Sequence, residues 1–220
     1  MWRGWRYRVG PDDYPRLLKM MYRWMLLLAL ALAAAAPARA ETAPDELIRQ
    51  LSVEVIDTVK ADKAIQGGDV SKIVALVDAK VLPLVNFQLM TKNAVGRRWN
   101  EASADQQKRL QEEFKVLLVR SYSGALTQVT NQTVEIKPPT LKLSDSEVEV
   151  RTLVVGGKEP LQLAYRLEKS SGQWKIYNVN VLGSWLVENY RTVFNQQISA
   201  GGIDGLINYL AERNKGTARS

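Results

Sequence analysis

The sequence predicts an α+β domain, in which helices from both the N-terminal and C-terminal parts of the chain cover one face of a curved four-stranded antiparallel meander. Three observations point there. Apolar residues recur at helical spacing from Asp45 to Ala125. The period shortens from about 3.6 residues to about 2 after Asn131, and helical spacing returns after Gly183.

The first helix runs from residue 45 to about residue 64. Leu47, Leu51 and Val55 share its face, Pro44 suits its first turn and Gly67-Gly68 stops it. Asp69 can cap a second helix over residues 70–80, with Ile73, Val74 and Val77 on its apolar side and Pro83 ending it. A short helix over 86–92 leads to Gly96-Arg97-Arg98-Trp99. Ser103 and Gln106 then stand at capping-box spacing. They open the most amphipathic stretch of the chain, whose stripe is Leu110, Phe114, Leu117, Leu118, Ser121 and Ala125.

Four alternating segments follow, at 133–137, 147–155, 161–168 and 174–181. The short turns Gly156-Gly157 and Ser170-Ser171-Gly172 make the last three a meander. In each strand only one face is apolar, so the sheet is covered on one side. Along the last strand the apolar parity slips from Trp174 and Ile176 to Tyr177, Val179 and Val181, which calls for a bulge and hence curvature. Residues 184–199 are helical, Gly201-Gly202 breaks the helix, and 203–213 form the last one. Whether helices around such a sheet leave a filled core or a cavity is open at this level.

The N-terminal forty residues read as an extension followed by a cleavable secretion signal at 21–40. Arg23 is its positive start, residues 24–36 its apolar run, and Ala38-Arg39-Ala40 a small-x-small cleavage site. The basic stretch before Met20 points to a start at Met20 or Met21. The expected mature unit is then 41–220, a single domain. The whole chain has a net charge of +7, but residues 41–220 carry 23 basic and 21 acidic side chains, a net +2. The basicity belongs to the leader, so it gives no support to nucleic-acid binding. There is no cysteine and no histidine, which removes disulfides, thiolate sites, histidine-ligated metals and the histidine-based hydrolytic triads. Adjacent carboxylates such as Glu112 and Glu113 point apart on a helix and make no acid–base pair.

Several segments, taken in order, resemble the periplasmic phospholipid-carrier family of Gram-negative bacteria, the MlaC or toluene-tolerance proteins. They are Pro83-Leu84-Val85-Asn86-Phe87, Gly96-Arg97-Arg98-Trp99, Gln106-Gln107, Phe114-Lys115 with Leu117-Leu118 and Tyr122, Tyr165, and Trp174 to Val179. Gly183, Asn189-Tyr190-Arg191 with Phe194, and Gly202-Ile203-Asp204 with Leu206 complete the set. Asn86 and Asn178 depart from the aspartates expected of the family, and Ser184-Trp185 departs after Gly183.

The resemblance implies a non-enzymatic carrier without cofactor, holding phospholipid acyl chains in an apolar cavity between sheet and helices. It implies a monomer that spans no membrane and touches membrane-bound partners transiently. It would shuttle lipid in the periplasm between an outer-membrane lipoprotein complex and an inner-membrane ABC transporter complex, maintaining outer-membrane lipid asymmetry. On this reading the acyl chains meet Val95, Trp99, Phe114, Leu118, Tyr122, Val150, Leu163, Tyr165, Val179, Leu186, Tyr190 and Phe194. Lys92, Arg97 and Arg98 meet a phosphate headgroup or an acidic partner. Each of these also has a plainer reading, as core residue or solvated cation. The competing readings are a cone-shaped α+β enzyme acting on a small hydrophobic substrate, which needs a carboxylate beside Tyr165 or Tyr190, and an envelope assembly module with a solid core.

Overall fold

The computed structural model describes residues 42–216, apart from 130, 145 and 158; the expected secretion signal lies outside the described residues. The described chain falls within one compact unit, Glu41–Ser220.

Helix α1, Pro44–Ala61, turns Leu47, Ile48, Leu51 and Val59 inward. It stops at Asp62, whose extended backbone begins the four-residue α2, Lys63–Gln66, and whose carboxylate accepts from the Ala64 and Ile65 amides. The first helix is thus split where the sequence reads as continuous, because an Asp that bonds its own following backbone offers an alternative to the helical ladder. Asp69 caps α3, Val70–Leu76. Beyond Leu76 the chain continues as a π-helical turn, Val77–Val81, and a tight turn, Leu82–Leu84. Pro83 lacks an N–H and its ring crowds the carbonyl four residues back, so the ladder cannot close normally there.

Helix α4, Phe87–Val95, is capped by Asn86. A 3₁₀ turn, Gly96–Glu101, leads into α5, Ala104–Leu126. The capping box forms: the Gln106 amide donates to Ser103 Oγ at 3.2 Å, and the Ser103 amide to Gln106 Oε1 at 2.9 Å.

The sheet has five strands in the order β1-β2-β3-β4-β5, all antiparallel: Thr133–Lys142, Glu147–Val155, Leu161–Ser170, Gln173–Val181 and Ser184–Trp185. The expected count of four is corrected by β5. Leu182 and Gly183 both have positive φ, as a two-residue type I′ hairpin turn requires, and fold Ser184 back onto Val181. Two residues carry no period, so alternation cannot reveal such a strand. Strand β1 runs past Pro138-Pro139 with a register shift between Lys137 and Leu141, which an edge strand tolerates. The bulge expected in β4 is present: Arg166 pairs with Asn178 and Leu167 with Ile176, leaving Tyr177 unpaired.

Helix α6, Leu186–Gly216, is interrupted at Gly201 and Gly202. Its start is fixed by Asn178 on β4, whose Oδ1 accepts from the Val187 amide at 3.2 Å while Nδ2 donates to Glu188 Oε2 at 2.8 Å.

The apolar interior is divided into three clusters. One joins α4, α5 and α6 around Phe114, which lies 5.0 Å from the Tyr190 ring and 5.1 Å from the Phe194 ring, edge to face. A second presses Leu47, Ile48 and Leu51 of α1 onto Val148, Val150, Leu167 and Ile176 of the sheet. The third holds Val59, Ile65, Ile73, Leu76 and Val119. The opposite face of the sheet carries Glu149, Arg151 and Arg166, with Arg151 Nε 2.9 Å from Glu149.

Candidate functional site

Because the three clusters do not merge, a cleft of about 1390 Å³ remains among them, walled by residues from each. Helix α1 contributes Ile48, Leu51, Ser52, Val55 and Ile56; α3 and the π-turn contribute Ile73, Leu76 and Val77; α5 contributes Leu118, Val119, Tyr122 and Leu126. The sheet supplies the facing wall through Val134, Val154, Leu161, Leu163, Tyr165, Val179 and Val181. Val85 and Phe87 reach the cleft because the segment before α4 is pinned along β4: Val85 bridges Ile176, the Asn86 amide donates to the Ile176 carbonyl at 2.8 Å, and Lys175 Nζ donates to the Pro83 carbonyl.

Polarity in the lining is uneven. Tyr122, Ser123, Gln128, Gln132 and Glu159 belong to the end of α5, the loop after it and the β2–β3 connection. Further along β3 the walls are apolar apart from Tyr165 and Ser52, and the Tyr165 hydroxyl lies near those of Ser52 and Thr152. Burial raises the Tyr165 phenol above its ordinary value, and those two hydroxyls act in the opposite direction. Burial and the neighbouring Tyr190 raise Tyr122 as well. Lys115 also lines the cleft, its ammonium 2.9 Å from Asp78. Among the described lining residues Glu159, on the β2–β3 connection, is the one carboxylate.

Of the twelve side chains expected to meet acyl chains, the structure brings six together on the walls: Leu118, Tyr122, Leu163, Tyr165, Val179 and Leu186. The other six lie elsewhere. Val95, Trp99, Phe114 and Phe194 are buried in the all-helical cluster, with Tyr190 packed against it, and Val150 is closed over by α1. Protein already fills the space in front of them. Arg97 and Arg98 line a separate groove before the N-terminus of α5, and Lys92 is exposed on α4 outside the cleft lining. None of the three borders the cleft. Sequence reasoning missed the α1 and α3 walls, although Leu51, Val55, Ile73 and Val77 stood in the apolar stripes that identified those helices.

Both unexpected asparagines have a structural role. Asn86 Nδ2 donates to Glu168 Oε1 at 2.8 Å as Asn178 does to Glu188. A carboxylate at either position cannot donate that bond.

The architecture matches a class of lipid-binding proteins. A phospholipid-binding protein from Ralstonia solanacearum, solved in complex with a phospholipid, superimposes with a TM-score of 0.77 and is 40% identical, covering 82% of this chain and all of that one. The MlaC protein family profile matches residues 49–212. The chain therefore belongs to the MlaC family. Among its relatives is the intermembrane phospholipid transport system binding protein MlaC of Haemophilus influenzae, 27% identical over 80% of this chain and 84% of that protein. A toluene tolerance protein of Pseudomonas putida is 25% identical over 75% of this chain and 77% of its own length.

Proposed function

We infer that this protein is a phospholipid-binding carrier that works in the periplasm, passing lipid between an outer-membrane lipoprotein complex and an inner-membrane ABC transporter complex. The observation that carries the reading is the apolar cleft of about 1390 Å³ in a chain of this family. A methylene takes up about the ~30 Å³ that a water molecule occupies in the liquid. The cleft thus has room for roughly 45 of them, more than the ~30 of two acyl chains. A solid assembly module is hard to reconcile with a void above the usual small-molecule range of about 300–1,000 Å³. No helix of the described residues is long and apolar enough to cross a membrane.

The energetics define the task. Taking ~30 methylenes out of water is worth about 24 kcal/mol at ~0.8 kcal/mol each, beyond the ceiling of roughly 18–21 kcal/mol for non-covalent affinity. The relevant exchange is therefore bilayer to cleft, where apolar chains leave one apolar medium for another. A near-balanced exchange gives no direction, which must come from the partners at either end.

Organic extraction of protein purified without detergent, followed by mass spectrometry, tests this. Phospholipid near one molecule per chain is expected. A lipid-free protein that also takes up none from vesicles overturns the reading.

A further inference from the structure

Arg97 and Arg98 share a groove of about 550 Å³ with Gly96, Glu101, Arg191 and Asn195. Its frame is fixed from beneath: Trp99, two residues before Glu101, is buried in the helical cluster, and Arg191 Nε donates to the Asn93 carbonyl at 2.8 Å. Arg98 is paired with Glu101 at 2.7 Å, whereas neither Arg97 nor Arg191 has a carboxylate partner among the described residues. Three guanidinium groups face one carboxylate, a local charge of +2.

A headgroup held at the polar end of the cleft is out of reach of this charge. The groove precedes the N-terminus of α5, while the polar lining gathers at and beyond its C-terminus. The 23 residues of α5 rise about 34 Å at ~1.5 Å each, against a screening length of about 8 Å at physiological salt. A membrane surface is also a poor fit. Flat anionic bilayers recruit clusters of roughly four to eight protruding cations, and here there are three, set in a concavity beside Glu101. A peptide can enter a concavity, and a guanidinium fork matches a carboxylate in two parallel bonds.

We propose that this groove docks an acidic segment of a protein partner, its carboxylates pairing with Arg97 and Arg191. The proposal rests on the carrier reading for its purpose, since a carrier must be recognised where it loads and unloads. It separates the docking address from the lipid opening, so that recognition leaves the cleft uncovered.

The test uses purified protein and a fluorescein-labelled octapeptide of alternating Asp and Glu, followed by fluorescence anisotropy at low salt. The double variant R97E/R191E is expected to bind it at least about tenfold more weakly. R97Q/R191Q should lose binding too, without adding negative charge. The control K63E/K72E, the same charge change on α2 and α3, should shift binding less than about twofold. Equal losses in both charge-reversed pairs, absence of wild-type binding, or groove-dependent binding to phosphatidylglycerol vesicles in place of the peptide would overturn the proposal. Lipid content of the same samples reports on the carrier reading separately: both pairs should retain wild-type phospholipid, and a wild-type protein without lipid counts against the carrier and not against the groove.

Discussion

Tyr165 shows how a single polar atom behaves at the wall of a greasy cleft. Tyr165 is half-buried on the cleft wall, and desolvation holds its pKa above the ordinary 10.0. The unfolded chain releases this proton near that pH while the folded chain resists, so the unfolded state binds fewer protons as pH rises. Stability contributed by Tyr165 is therefore complete below about pH 10 and falls above it, by at most ~1.4 kcal/mol per pH unit. Urea unfolding across the alkaline range should show this decline. Tyr165→Phe should make it shallower without abolishing it, because Tyr122 and Tyr177 are raised as well. An unchanged slope in that variant would mean that Tyr165 is not shielded. Asn178 is the other informative residue: it joins the sheet to the first turn of α6 and so fixes Leu186 on the cleft wall.

At the scale of elements, the break in α6 illustrates how backbone conformation decides the sign of a substitution. Gly202 has φ 67 and ψ −164, with open space where a Cβ would project. That region is reserved for glycine, and Gly202→Ala should cost about 1–3 kcal/mol from strain alone. Gly124 has the same open space where a Cβ would project but sits in regular helix α5, so Gly124→Ala should stabilise by about 0.5–1 kcal/mol. Midpoints of denaturant unfolding decide both; a shift of the same sign in the two variants would contradict the conformational argument. The segment from α3 through the π-turn to α4 is the element whose form matters most for the cleft, since Val77, Val81 and Val85 all line it.

For the whole molecule, the consequential feature is that three apolar clusters leave a gap between them. A bulky side chain placed into that gap should displace ligand while the clusters stay intact. Leu163→Trp, on the sheet wall, should lower co-purified phospholipid several-fold, measured as lipid phosphorus per protein. Val53→Trp, on the half-exposed side of α1 and outside the cleft, should leave it unchanged. Equal lipid content in Leu163→Trp and wild type would place the acyl chains somewhere other than this cleft.

Local chemistry by itself determined most of the elements. Ser103 and Gln106 marked the start of α5, Asp69 supplied a cap, alternation located four strands, and the slip at Tyr177 disclosed the bulge. These signals are legible because each depends on neighbours within a few residues. Tertiary structure alone decided which apolar side chains face a cavity. Phe114 and Leu118 lie one turn apart on the same stripe of α5, yet Phe114 is enclosed by Tyr190 and Phe194 while Leu118 borders empty space. Periodicity records that a face is turned from water. What stands opposite that face, another side chain or room for a lipid, is set by how far distant helices approach one another, and the packing of α1, α3 and α5 around the sheet is where that distance is fixed.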